Sequence, residues 1–98
     1  MEIEFTWRPE KAKSNLKKHG ISFETAIQVF TDPFRFILDD CEDEAGELRL
    51  HAIGYAGRQL LLLVVFIDRS EDGQDVFHII SARKANSYEE QFYAQQFS

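Results

Sequence analysis

The run Leu60-Leu61-Leu62-Leu63-Val64-Val65-Phe66-Ile67 decides the fold. Its eight residues form the longest apolar stretch of the chain. That is well short of the ~20 that cross a bilayer, so the run reads as a buried strand. A strand covered on one side only alternates apolar with polar residues. This one does not alternate, so both of its faces are buried. The sequence offers few helices to cover them, and a partner chain or a second copy is expected to complete one face of the sheet.

Outward from this strand, assigned to 59–68, turn signals are regularly spaced. On the C-terminal side the polar turn Ser70-Glu71-Asp72-Gly73-Gln74-Asp75 leads to a strand over 76–81. Ser87, followed three residues later by Glu90, has the capping-box pattern and opens a last helix over 87–96. On the N-terminal side Gly54-Tyr55-Ala56-Gly57 reads as the turn after a strand over 48–53. Residues 39–47 carry six acids in nine positions and read as an exposed loop. Phe34, Phe36 and Leu38 alternate with Arg35, Ile37 and Asp39, a strand with one apolar face.

The beginning of the chain is helical. Pro9 suits a first turn, Ala12 and Leu16 form an apolar i,i+4 stripe, and Gly20 is placed for a left-handed cap, so a helix spans Pro9–His19. Arg8 stands where Asp or Ser would cap it. Ser22 caps a second helix with Phe23, Ala26, Ile27 and Phe30 on one face, ended by Asp32-Pro33. The order is ααββββα, and the short links between strands make the sheet antiparallel. The expected fold is α+β, a four-stranded antiparallel sheet with a helical hairpin and a C-terminal helix.

Composition bounds what such a domain can do. Ninety-eight residues make one domain, and 44% apolar with 29% charged residues excludes disorder. A single cysteine, Cys41, excludes an internal disulfide and a four-thiolate zinc site. The N-terminus lacks a basic start followed by an apolar run, so a cytoplasmic, non-membrane protein is expected. Residues 39–47 lack the Asp-x-Asp-x-Asp-Gly spacing of a calcium loop, and acids around Cys41 disfavour its thiolate. No metal and no cofactor are expected. The net charge is −6, with residues 1–20 basic and 21–75 strongly acidic. Net acidity opposes tight binding of free nucleic acid, which draws its affinity from phosphate contacts. It leaves room for a small basic cleft and suits docking against a basic partner.

Short motifs run through this framework in order. They are Phe5-x-Trp7-x-Pro9-x-Lys11, Asn15-x-x-Lys18-His19-Gly20 and Ser22-Phe23-Glu24-x-Ala26. Gly46-Glu47-x-Arg49, Gly54, Gly57-Arg58 and Ile79-Ile80-Ser81-Ala82-Arg83-Lys84-Ala85 follow. With these the chain resembles the BrnT family of bacterial toxins, within the wider RelE-like group of toxin–antitoxin ribonucleases, over about residues 5–93. The resemblance implies a RelE-like fold and a metal-independent endoribonuclease that slows growth by cutting RNA. It also implies a partner, a BrnA-like antitoxin with a ribbon-helix-helix domain that would carry any contact with DNA. Two positions depart from the family pattern, Arg8 where an aspartate is usual and Glu90 where an arginine is usual.

Such cleavage needs a base for the 2′-hydroxyl, a cation for the phosphorane and an acid for the 5′-oxygen. Arg83, which the family motif matches just past the last strand, is the expected phosphate clamp. Glu47, Arg49 and His51 alternate, share one face of their strand and could act as base, clamp and proton shuttle. Arg69 could add a second clamp, and Tyr93 could donate a proton or stack on a base. Lys18 and Lys84, with Lys11, Lys13 and Lys17, could follow an RNA backbone. The plain alternative for each is a solvated face, a surface ion pair or helix packing. His19 reads as a helix-end residue and His78 as a structural histidine. Arg83→Glu is expected to abolish cleavage with little loss of folding. The alternative function is a catalytically weak or inactive homologue, an interaction module that binds an antitoxin-like partner. A homodimer through an exposed sheet face is a further expectation.

Overall fold

The apolar run forms the central strand of its sheet, and the chain itself supplies a helical layer to each face. The computed structural model describes residues 2–42 and 46–97. The elements are β1 (Ile3–Thr6), α1 (Pro9–His19), α2 (Phe23–Ala26) running into a 3₁₀ turn (Ile27–Thr31), β2 (Phe36–Glu42), β3 (Leu48–Ala56), β4 (Leu60–Asp68), β5 (Asp75–Lys84) and α3 (Ser87–Ala94), which ends in a second 3₁₀ turn (Gln95–Phe97). The strand order is β1-β5-β4-β3-β2. β2 to β5 are antiparallel, while β1 lies parallel against the outside of β5. The sheet is therefore mixed and five-stranded, a correction to the expected four antiparallel strands. Ile3 and Phe5 between Glu2, Glu4 and Thr6 are the period-two signal of the added strand. Its long return through the helices is what allows a parallel pairing.

Side chains of β4 divide between the two faces. Leu62, Val64 and Phe66 pack with Phe23, Ala26, Val29 and Phe30 beneath the α1–α2 hairpin. Phe30 is central there, with ring centroids 5.3 Å from Phe5, 5.0 Å from Phe66 and 5.3 Å from Phe77. Each such buried ring contributes roughly 1.5–3 kcal/mol. Leu63 packs on the other face with Ile53 and with Tyr93 of α3. Leu62, Leu63, Val64, Phe66 and Ile67 are all buried within the chain, so the expected partner is not needed to bury the run.

Several boundaries move. The expected second helix is one α-helical turn followed by 3₁₀ structure, capped by Ser22, whose hydroxyl accepts from Thr25 N at 3.1 Å. β2 begins at Phe36 and continues to Glu42, into the stretch read as a loop, and residues 43–45 lie outside those described. The side chain of Cys41 also lies outside the described set. β3 continues to Ala56, and its turn is made at Gly57 with φ 79°. Arg83 lies within β5, not past it. The capping box on α3 is Asn86 with Glu89, one residue before the expected pair.

Two buried polar residues, Asn15 and Asp32, sit where the sheet ladder is incomplete. Leu16, read as part of the apolar stripe of α1, is 52% exposed, and Asn15 takes the buried place. Its Nδ2 donates to Ile21 O and Ala82 O, both at 2.9 Å, and its Oδ1 accepts from Ala82 N at 3.1 Å. β1 pairs with β5 only as far as His78, so the Asn15 amide continues the ladder where β1 has ended. Asn15→Ala strands these buried groups and should cost about 2–3 kcal/mol. In thermal unfolding Tm should fall by roughly 10–20 °C, and an unchanged Tm would contradict the role given to Asn15.

Candidate functional site

α3 packs through Tyr93 against Ile53 and Leu63, and the rows of the same sheet face beyond them gather most of the polar candidates. Alternate residues share a face, so Val65 and Ile67 of β4 fix which neighbours stand beside them. On β3 these are His51 and Arg49, and on β5 they are Ser81 and His78. Thr6 of β1 lies beyond His78. One row nearer α3, Leu63 lies between Ile53 and Arg83. A floor of Val65 and Ile67 is thus bordered by Arg49 and His51 on one side and by His78, Ser81 and Arg83 on the other. With strands ~4.8 Å apart, the two borders are about 10 Å apart at Cα. Arginine and histidine side chains reaching inward can close that gap onto a phosphodiester.

A bulge in β5 makes this arrangement. Val65 opposes Ser81, but the next residue, Phe66, opposes Ile79, leaving Ile80 as the extra residue. The bulge brings even-numbered His78 onto the same face as odd-numbered Ser81 and Arg83. Simple alternation puts His78 on the opposite face, and nothing in the sequence marks the bulge. His78 Nδ1 and Thr6 Oγ1 are hydrogen-bonded at 2.8 Å. Burial lowers the pKa of the imidazole below its ordinary value. The positive charges of Arg69 and Arg8 act in the same direction and outweigh Glu47.

Carboxylates hold two of the guanidinium groups. Arg83 donates to Glu89 through Nη1 at 2.9 Å and Nη2 at 2.8 Å, and its Nη1 also donates to Lys84 O at 3.2 Å. Hydrogen bonding to Glu89 raises the Arg83 pKa further. Burial acts to raise the pKa of Glu89, but bonds from Arg83 and the Asn86 amide, with the charges of Arg83 and His51, leave it lowered. Arg69 forms the second pair, Nη2 to Glu47 at 3.2 Å, and is more exposed.

The remaining candidates are more scattered. Lys18 borders a hollow of about 250 Å³ with Lys11, His19, Ile80 and Ser81, which adjoins the floor through Ser81. Lys84 is opposite Leu62, on the other face from Arg83. Tyr93 is buried with Ile53 and Leu63, and its hydroxyl donates to Asp32 Oδ2 at 2.6 Å. Burial and the Asp32 carboxylate push its pKa far up, so its proton is held. Tyr93 is not brought into the Arg49–His51–Arg83 group. Asp32, absent from the sequence-based candidates, also accepts from Phe34 N and Tyr55 N, each at 2.9 Å. Only the Asp-Pro helix stop drew attention to it.

Among the described residues no group of three His, Cys, Asp or Glu side chains is placed to hold a metal ion. Also among them, no helix is long and apolar enough to cross a membrane.

Comparison with known proteins bears on this site. No curated protein matches the chain. Among solved structures the chain is similar to the 1.1 Å crystal structure of the Brucella abortus ribonuclease toxin, BrnT. The TM-score is 0.61 at 23% identity, covering 88% of this chain and 100% of that one. That likeness is one of fold. Residues 7–89 match the family described as ribonuclease toxin, BrnT, of type II toxin–antitoxin systems. That stretch takes in the hairpin, the whole sheet beyond β1, and Arg49, His51, His78, Ser81 and Arg83. The chain belongs to the BrnT toxin family.

Proposed function

We propose that the chain is the toxin of a type II toxin–antitoxin pair, a cytoplasmic, metal-independent endoribonuclease that inhibits growth until a BrnA-like ribbon-helix-helix antitoxin neutralises it. The observation that carries this reading is the row of Val65 and Ile67 bordered on one sheet face by Arg49, His51, Ser81 and Arg83. Arg49 and Arg83 hold the non-bridging oxygens of the scissile phosphate, where paired guanidinium donors stabilise the charge that develops. His51 moves a proton. Glu47 holds Arg69 as an outer contact for the RNA backbone, and Lys18 extends that contact along α1. Tyr93 belongs to the packing and Lys84 lies outside the cleavage site. DNA is contacted only through the antitoxin. A homodimer is not part of this reading, because the chain itself buries β4.

One observation favours a second reading. Glu89 and Glu47 already neutralise Arg83 and Arg69, as suits a weak or inactive homologue that retains only antitoxin binding. The purified chain incubated with RNA in excess EDTA separates the two. Cleavage leaving 2′,3′-cyclic phosphate ends supports the enzyme. A folded chain that leaves both free and ribosome-bound RNA intact would overturn it in favour of the binding module.

A further inference from the structure

We propose that His78 is the general base of the cleavage reaction, with Nε2 taking the 2′-hydroxyl proton and Thr6 positioning the ring through Nδ1. The inference rests on the ribonuclease reading above. Three features of the molecule support it. The bulge at Ile80 turns His78 onto the sheet face of Ser81 and Arg83, beside Ile67 and opposite Arg49. Among the described residues, the one hydrogen bond of its ring is that with Thr6, through Nδ1. A proton on Nδ1, donated to Thr6 Oγ1, leaves the Nε2 lone pair for substrate. His78 is only partly buried, and the depressed pKa keeps the ring neutral and ready as a base. The charged groups around it are Arg8 after β1, Arg69 after β4, Glu47 before β3 and Arg49 across Ile67.

His78 and His51 stand on opposite borders of the floor, as in-line displacement requires. Nε2 of His78 accepts the 2′-hydroxyl proton as the 2′-oxygen bonds to phosphorus. The bond from phosphorus to the 5′-oxygen breaks, and that oxygen takes a proton from protonated His51. The products are a 2′,3′-cyclic phosphate and a 5′-hydroxyl. The histidines then return to their starting states by exchanging protons with water.

The test compares wild type with His78→Gln, Thr6→Val and Thr6→Ser. Single-turnover cleavage is followed against pH, and binding of a 2′-O-methyl oligonucleotide, which has no nucleophile, is measured alongside. Cleavage by His78→Gln should fall about 100-fold or more, with oligonucleotide affinity within twofold of wild type. Wild-type cleavage should decline as pH falls through the lowered pKa of His78, below the ordinary 6.5. The residual activity of His78→Gln should lack that decline. Thr6→Val should lose roughly tenfold, and Thr6→Ser, which keeps the hydroxyl, should recover most of it. If His78→Gln does not fold, the threonine pair carries the same test. An active wild type whose His78→Gln retains its rate or its acidic decline overturns this proposal alone. A wild type that cuts no RNA overturns the ribonuclease reading and this proposal with it.

Discussion

Replacing Arg83 by glutamine is expected to lower RNA cleavage by about 10²–10³-fold while the chain remains folded, the usual cost of removing a preorganised donor to a developing oxyanion. The residue stands beside Leu63 on the sheet face shared with α3, and its guanidinium is already fixed in orientation by Glu89. An arginine held in this way meets phosphate without first losing rotamer freedom, and its planar fork can bind two oxygens. Glutamine keeps a hydrogen-bonding end for Glu89. The stability cost of losing this half-exposed pair should be about 1 kcal/mol. The structure also changes what Arg83→Glu would report. Glu89, only 12% exposed in its side chain, also accepts from the Asn86 amide in the cap of α3. A glutamate at position 83 would set two carboxylates together beneath that cap and loosen the helix. Arg83→Glu is therefore expected to cost folding as well as cleavage, and glutamine is the informative substitution. Cleavage assays at matched concentrations of chain confirmed folded by circular dichroism are the measurement. Wild-type rates from Arg83→Gln would remove this side chain from the chemistry.

The second large effect concerns folding. Asp32→Ala should destabilise the chain by about 3–5 kcal/mol, because it removes a nearly buried carboxylate from three donors. That is a large share of the roughly 5–15 kcal/mol available to a domain of this size. Asp32 closes the end of β3 where β2 has not yet begun, and it ties the hairpin layer to Tyr93 in the α3 layer. Gly54 lets it approach. A Cβ there would stand 3.0 Å from Val29 Cγ1 and 3.3 Å from Asp32 Oδ2. Burial acts to raise the pKa of Asp32, but hydrogen bonds from Tyr93, Tyr55 and Phe34, with the charge of Arg35, leave it below 3.8. A carboxylate with a lowered folded pKa stabilises fully above its unfolded value, and the contribution is lost as pH falls through the folded one. Wild type should therefore lose stability below about pH 4, and Asp32→Asn should show less of that acid loss. Denaturant unfolding between pH 2 and 7 measures both effects. A pH profile unchanged in Asp32→Asn would contradict this assignment.

How much of this was legible depends on the kind of signal. The continuous apolar run reported the strand at the centre of the sheet, and Pro9 and Gly20 bounded α1 to the residue. β1 was missed because four residues give too short an alternation to stand out, and its parallel pairing depends on the whole crossover. That the chain itself buries β4 was not legible, because the hairpin and Tyr93 of α3 meet the strand only in the folded sheet. Among the site candidates, Glu47, Arg49 and His51 follow from alternation and Arg83 from the family motif. His78 reads as a structural histidine in the sequence, because nothing there marks the one-residue bulge that sets which side chains share its face. Much of the motif that carries the family likeness serves the fold. Asn15 completes the ladder of β5, while Phe23, Ala26, Ile79 and Ala82 are core.

On the proposed reading RNA lies across Arg49, His51, His78, Ser81 and Arg83, on the sheet face shared with α3. Titrating the ¹⁵N-labelled chain with a 2′-O-methyl oligonucleotide, which binds without being cut, tests it most directly. The account predicts amide shifts concentrated at Arg49, His51, His78, Ser81 and Arg83, with the Lys18 hollow following at higher occupancy. Shifts confined to the hairpin face, or to Lys84 and Tyr93, would contradict it.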